Sequence, residues 1–232
     1  SVNLVVTSPP YPMIRMWDAQ FSAADPDIGR ALAAGDGNRA FDLLHRLLEP
    51  VWRECGRVVG DGGFVCLNIG DATRTLGGDF RLYSSHPRIT ETLTAAGFSA
   101  LPLLRWRTTT HAPNKLIGSG MLPTGAYPTL EHEYILIFRK GGKRPFRTDA
   151  EKQRRRESAF FWEERNLWFS DLWDLGGRRQ TGETNGTRER SAAFPLELAY
   201  RLVLMFSVRG DLVLDPFLGT GTTTIAAAAA GR

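Results

Sequence analysis

A chain of 232 residues, 42% of them hydrophobic, can bury a full core, most simply as one α/β domain with an insertion. No run of eighteen or more apolar residues and no secretory leader pattern occurs, which sets membrane proteins aside and leaves a reduced cytoplasmic setting as the expectation. The formal charge of +4 permits a polyanionic partner without requiring one, and the two cysteines, Cys55 and Cys66, have neither metal nor redox spacing.

Taken in order, Val2 to Val6 is a short apolar run that reads as a buried strand. Asn38 to Arg57 carries Phe41, Leu44, Leu48, Val51, Trp52 and Cys55 at helical spacing. Gly62-Gly63 introduces a strand from Phe64 to Ile69, which ends at Gly70-Asp71. His86 to Ala96 is a helix closed by Gly97. Phe98 to Arg107 and Glu133 to Arg139 read as strands, and Phe194 to Phe206 as a helix with proline in its first turn. Val208 to Asp215, with Leu212 to Leu214 as its apolar run, feeds a glycine loop, and Thr222 to Ala230 is the helix beyond it. Helices alternating with strands predict a mostly parallel sheet covered on both faces.

Two loops carry the chemistry. Thr7-Ser8-Pro9-Pro10-Tyr11 follows the first strand, and Asp215-Pro216-Phe217-Leu218-Gly219-Thr220-Gly221 follows the last. Loops at the ends of two strands suggest one crevice. The alternate glycines allow a tight turn and close approach of a ligand, and the helix start beyond them offers free N–H groups to a carboxylate. A dinucleotide fingerprint needs a third glycine where Thr224 stands, so NAD and FAD are disfavoured. Without a ligand, the same residues describe a tight strand-to-helix turn.

Together the motifs resemble the DNA amino-methyltransferases that use S-adenosylmethionine (SAM), in the permuted beta-type order with the catalytic motif first and the cofactor loop last. The resemblance implies a Rossmann-like SAM-dependent methyltransferase fold, circularly permuted in motif order. It implies a catalytic half at residues 1–140, a target-recognition insertion at 141–190 and a cofactor-binding half at 191–232. The implied cofactor residues are Thr7, Phe194, Asp215, Phe217, Gly219, Gly221, Thr222 and Thr223. Among partners it implies double-stranded DNA, and it allows a cognate restriction endonuclease and a homodimer.

The catalytic motif makes chemical sense. An exocyclic base amine is a poor nucleophile because its lone pair is delocalised into the ring. Ser8 would offer its hydroxyl oxygen and Pro9 its carbonyl to the amine, accommodating the positive charge that develops on nitrogen. Pro9 and Pro10 stiffen that carbonyl. Tyr11 would stack on a base flipped out of the duplex. Within the family, serine at this position leans towards N4 of cytosine and aspartate towards N6 of adenine. Methylation of adenine, an RNA or small-amine substrate, and a catalytically silent DNA-binding or regulatory subunit are the alternatives.

Further stretches extend the resemblance. Arg190 to Leu198 looks like the segment that lines the methionine pocket, and Asn68 to Asp71 and Glu131 to Ile135 look like strand ends around the target base. Between Gly141 and Arg190 stand Arg154-Arg155-Arg156, Arg178-Arg179 and Trp162, Trp168 and Trp173, which could hold phosphates or form a charged face over packed tryptophans. Lys115 and Thr108 to Thr110 could form another DNA-facing loop. His45, His86, His111 and His132 lack paired metal spacing. The sequence begins at Ser1 immediately before a strand, and the acidic residue expected about 20 residues past the glycines has no place in it, so the natural protein is expected to extend beyond both ends.

Overall fold

The computed structural model describes residues 1–107, 116–118, 122–176 and 194–232. In chain order, strand β1 (Val2–Thr7) is followed by helices α1 (Asp18–Ala24), α2 (Pro26–Ala33) and α3 (Gly37–Val58). Strands β2 (Val59–Ile69), β3 (Ala72–Leu76) and β4 (Asp79–Tyr83) lead to helix α4 (Ser85–Ala95). Strands β5 (Phe98–Ala100), β6 (Leu104–Arg107), β7 (Leu116–Gly118), β8 (Ala126–Pro128) and β9 (His132–Lys140) come next. Helices α5 (Asp149–Glu157) and α6 (Trp162–Trp168), strand β10 (Leu172–Asp174), helix α7 (Leu196–Phe206), strand β11 (Val213–Leu214) and helix α8 (Thr222–Ala229) complete the described residues.

The main sheet has the order β10-β6-β9-β2-β1-β11, with β5 also paired to β9. Strand β1 runs parallel to β2 and to β11, and β10 parallel to β6. Strand β9 runs antiparallel to β2, β5 and β6. The α/β architecture and the mostly parallel sheet of the sequence reading stand: β1, β2, β5, β6, β10 and β11 run one way, and β9 alone runs against them. A strand buried on both faces is a continuous apolar run in either direction, so Tyr134 to Phe138 carries no mark of its orientation.

The expected strand from Phe98 to Arg107 is two strands. Pro102 has no N–H to give to a ladder. Ala100 pairs with Phe138 and Leu104 with Ile135, so three residues bulge against two.

Alternation along the central strands sorts side chains into two layers. Val5, Val65, Leu67, Ile69, Leu136 and Phe138 face one way, against Ile28 of α2, Leu44, Leu48 and Trp52 of α3 and Ile89 and Leu93 of α4. Leu4, Val6, Cys66, Ile135 and Ile137 face the other way, against Leu198 and Leu202 of α7, Ala226 and Ala230 at α8, and Trp168 and Trp173. With 0% exposure, Leu4 and Val5 anchor both layers, and truncating either to alanine would cost about 2–5 kcal/mol. Among the described residues no helix is long and apolar enough to cross a membrane.

Candidate active site

The carboxyl ends of β1, β2 and β11 lie at the same sheet edge as the amino end of β9. Register fixes this: Thr7 pairs with Leu67, Val5 with Leu214, and Ile69 with Tyr134. Open α/β sheets bind ligands at that edge, outside the strand ends.

Asp215 is the junction of the two loops. Thr7 Oγ1 donates to its Oδ1 at 2.5 Å, and the Phe217 backbone N–H donates to the same oxygen at 3.1 Å. Thr223 Oγ1, in the first turn of α8, lies 2.8 Å from Oδ2. One carboxylate thus ties the end of β1 to both ends of the glycine loop. Thr7 and Thr223 are buried, so their hydroxyls serve this junction. Phe217 reaches back to Trp52 of α3, with ring centroids 5.6 Å apart.

Beyond Phe217 the loop is open. Gly221 is the N-cap residue of α8 at φ 81°, a left-handed conformation that a Cβ disfavours. Among the described residues, a Cβ added at Gly219 or Gly221 would meet nothing within 4 Å. No side chain among the described residues caps α8, so the N–H groups of its first turn face outward with the positive end of the helix dipole. Thr220 and Thr222 hydroxyls lie 3.1 Å apart beside them. This cradle fits a ligand with a carboxylate and room for its backbone-hugging approach.

The loop after β1 is held from several sides. Pro9 is buried, the Ile14 N–H donates to the Tyr11 carbonyl at 3.3 Å, and Met13 sits at φ 67°. Met13 has a β-carbon in the left-handed region, a strain of about 1–2 kcal/mol that surrounding contacts must offset. Arg74 of β3 pairs with Asp18 of α1 through two bonds of 2.8 and 2.6 Å, beside the Met13 carbonyl.

Inside this loop the tyrosine hydroxyl is enclosed by polar groups. Tyr11 Oη donates to Glu133 Oε2 at 2.6 Å, and Ser8 Oγ lies 3.3 Å from the same hydroxyl. Asn68 Nδ2 donates to both Tyr11 Oη and Glu133 Oε2, each at 2.7 Å. Burial, then the charge of Glu133, pushes the Tyr11 phenol well above its ordinary range. Burial likewise raises the Glu133 carboxyl, against the hydrogen bonds from Tyr11 and Asn68 that favour its charge. A Cβ at Gly70 would stand 3.0 Å from Tyr11 Cε2, so glycine there makes room for the ring. Next to this cluster, His86 Nδ1 lies 2.8 Å from Asp71 Oδ2 and the His86 ring stacks on Tyr134 at 3.8 Å.

Of the residues singled out from sequence, Thr7, Asp215, Phe217 and Thr223 meet at one junction, and Ser8 and Tyr11 at an adjoining one. Phe194 lies apart from Phe217, buried in the opposite core layer just before α7. Glu133 and Asn68 come in as partners of Tyr11; the strand-end resemblance named their neighbourhoods but not their bonds. Arg154-Arg155-Arg156 sit on α5 at the far edge of the sheet, where Arg154 approaches Gly210 and Ser158 Oγ accepts from the Arg209 N–H. Trp168 and Trp173 pack in the core, and Trp162 lies under Arg165 on the surface. Thr108 to Thr110, His111, Lys115, Arg178-Arg179 and Arg190 to Ala193 lie outside the described residues.

Known proteins align with this arrangement. A family model for N6/N4-type DNA methylases matches residues 2–232. Type II methyltransferase M.MthZI of Methanothermobacter thermautotrophicus is 56% identical over 100% of this chain and 66% of its own length. M.MjaI of Methanocaldococcus jannaschii is 46% identical over 98% of this chain and 77% of its own length. The structure of TTHA0409 from Thermus thermophilus, complexed with S-adenosyl-L-methionine, superposes with a TM-score of 0.71 at 33% identity, covering 100% of this chain and 77% of that one. PvuII DNA methyltransferase, which is cytosine-N4-specific, shares the fold with a TM-score of 0.64 at 17% identity, over 100% of this chain and 73% of that one. A match across the whole chain, carried by a sheet edge at which both motif loops converge, means that the chain belongs to the N6/N4 DNA methylase family of SAM-dependent enzymes.

Proposed function

We propose that this chain transfers a methyl group from SAM to an exocyclic amine of a flipped base in duplex DNA, and that the amine is N4 of cytosine. The observation that carries the reading is the 2.5 Å bond from Thr7 to Asp215, which sets Ser8-Pro9 directly beside the glycine loop. The cradle at Gly219, Gly221 and the uncapped start of α8 suits the methionyl carboxylate of SAM. When bound, SAM supplies an electrophilic methyl on a positively charged sulfur.

The chain's own residues prepare the amine. Ser8 Oγ and the Pro9 carbonyl accept hydrogen bonds from its two N–H groups, which reorients the nitrogen and accommodates charge that develops there. Pro10 and Pro12, with the strained turn at Met13, keep those acceptors from drifting as the base enters. Asp215 fixes the distance between acceptors and cradle, so that proximity supplies much of the acceleration. Thr7 and Thr223 serve through Asp215, and Phe217 through its packing on Trp52.

Serine at position 8 supports cytosine as the base. Because the matched relatives are type II methyltransferases, a cognate restriction endonuclease is the partner we propose alongside DNA. The test is to incubate the full-length protein with unmethylated DNA and methyl-labelled SAM, then identify labelled nucleosides by mass spectrometry. N4-methylcytosine is the expected product. N6-methyladenine would overturn the choice of base, and label in neither would overturn the reaction.

A further inference from the structure

We propose that Glu133 is a positioning residue that terminates a proton relay running from Ser8 through Tyr11, and that this relay makes Ser8 an acceptor for the substrate amine. The inference rests on the functional reading above. Its basis is the direction in which four polar groups can share their protons.

The Tyr11 hydroxyl has one proton and two lone pairs. Its proton lies on the 2.6 Å line to Glu133 Oε2, because a carboxylate can only accept. The Asn68 amide takes one lone pair at 2.7 Å. The remaining lone pair faces Ser8 Oγ at 3.3 Å, and a phenol oxygen so placed can only accept the serine proton. Asn68 Nδ2 also donates to Glu133 Oε2, and its buried Oδ1 has no partner among the described residues, so the amide addresses this cluster through its NH2 side. The consequence reaches the substrate. With its own proton turned inward, Ser8 Oγ presents both lone pairs outward, to a group that must bring protons. An exocyclic amine is such a group.

The relay also balances the reaction. As the N–CH3 bond forms, the S–CH3 bond breaks and its electron pair stays on sulfur. The surplus proton on nitrogen passes to Ser8 Oγ, the Ser8 proton to Tyr11 Oη, and the Tyr11 proton to Glu133 Oε2. Serine and tyrosine end as they began, and the carboxylate becomes a carboxylic acid that later yields its proton to water. Ser8 to Tyr11 at 3.3 Å is long for such a bond and shortens when the base enters.

The test compares wild type with Tyr11→Phe, Glu133→Gln and the double variant in single-turnover methylation of unmethylated plasmid DNA. Each single change is expected to lower the rate constant about 100-fold, the scale of positioned acid–base groups. The double variant is expected to be no slower than either single one, because both interrupt one path. Affinities for S-adenosylhomocysteine and for DNA should stay within about threefold of wild type. Glutamine still accepts the Tyr11 proton, so a merely packing role for Glu133 predicts a near-normal rate for Glu133→Gln. That result, or losses that multiply in the double variant, would overturn the relay while leaving the methylase reading intact. If wild type labels no exocyclic amine in DNA, the reading and the relay fall together. A readout without turnover is the ¹³C carboxyl resonance of Glu133 in the protein alone, which should move on Tyr11→Phe; an unmoved resonance contradicts the shared proton.

Discussion

Replacing Asp215 separates two losses that the junction combines. In Asp215→Ala, the Thr7 hydroxyl, 1% exposed, loses its one acceptor among the described residues. Thr223 is better off, because its hydroxyl can turn to the Val6 carbonyl at 3.2 Å. The half-buried Phe217 N–H can reach water. One orphaned buried donor costs about 1–3 kcal/mol, and losing the charge-assisted bonds brings the total to about 2–4 kcal/mol. Asp215→Asn is milder. Its carbonyl oxygen can keep Thr7 and Phe217, while its amide donates to Thr223 Oγ1, whose own proton turns to Val6. The charge is lost but no donor is stranded, so about 1–2 kcal/mol is expected. Urea titrations of both variants measure this, as shifts in midpoint at unchanged slope. Isothermal titration with SAM should show a weaker Asp215→Ala complex, about tenfold, since a loop freed at its root must be ordered on binding. Equal destabilisation by both substitutions would contradict the stranding of the Thr7 donor. So would simple additivity of Thr7→Val and Asp215→Ala, whose groups are in direct contact.

Three further expectations follow from individual residues. Gly221→Ala, forced to keep φ 81°, should cost about 1–2 kcal/mol of stability, whereas Gly219→Ala should leave stability unchanged yet weaken SAM binding by filling open space; melting curves and titrations with SAM separate the two, and a stability loss at Gly219 would contradict the cradle. Burial, helped by Arg88, lowers the His45 imidazole from 6.5 to about 4, so the unfolded chain protonates before the folded one. Stability present above the ordinary pKa should therefore decline between pH 6.5 and 4, by roughly 3 kcal/mol at most, and His45→Leu should flatten that slope in denaturation midpoints measured across the window. An unchanged slope would exclude His45 as its source. Burial pushes the Cys55 thiol up to about 11 and raises Cys66 as well, so neither should react with a thiol reagent at pH 8 until denaturant is added; rapid labelling of the native protein would show the core to be open.

Local features were legible in the sequence and long-range ones were not. Strand β1, helix α3 and the turn into α8 announce themselves through apolar periodicity, a helical stripe and glycine spacing, all properties of neighbouring residues. On α3 the stripe is realised by Leu44, Leu48, Trp52 and Cys55, with Phe41 and Val51 half-buried beside it. The pairing of Thr7 with Asp215 spans 208 residues, and only the adjacency of β1 and β11 creates it. Glu133 meets Tyr11 because β9 lies antiparallel to β2, a direction that Tyr134 to Phe138 does not encode. The arginines of α5 show the converse limit. Their charge suggests phosphate contact or a charged face over packed tryptophans, and the loop after β9 places them at the sheet edge opposite the two motif loops, where Arg144 pairs with Asp211 at 2.6 Å. A run of like charges reports its composition, and the fold alone decides what it faces.

The most direct measurement of the central claim pairs two readings on Ser8→Ala: the single-turnover rate of methyl transfer to DNA, and the affinity for SAM. Ser8 accepts from the amine and contributes nothing to the Asp215 junction, so Ser8→Ala should lower the rate about 100-fold with SAM affinity unchanged. A normal rate, or loss of rate and SAM affinity in equal measure, would contradict the assignment of the two loops to separate tasks.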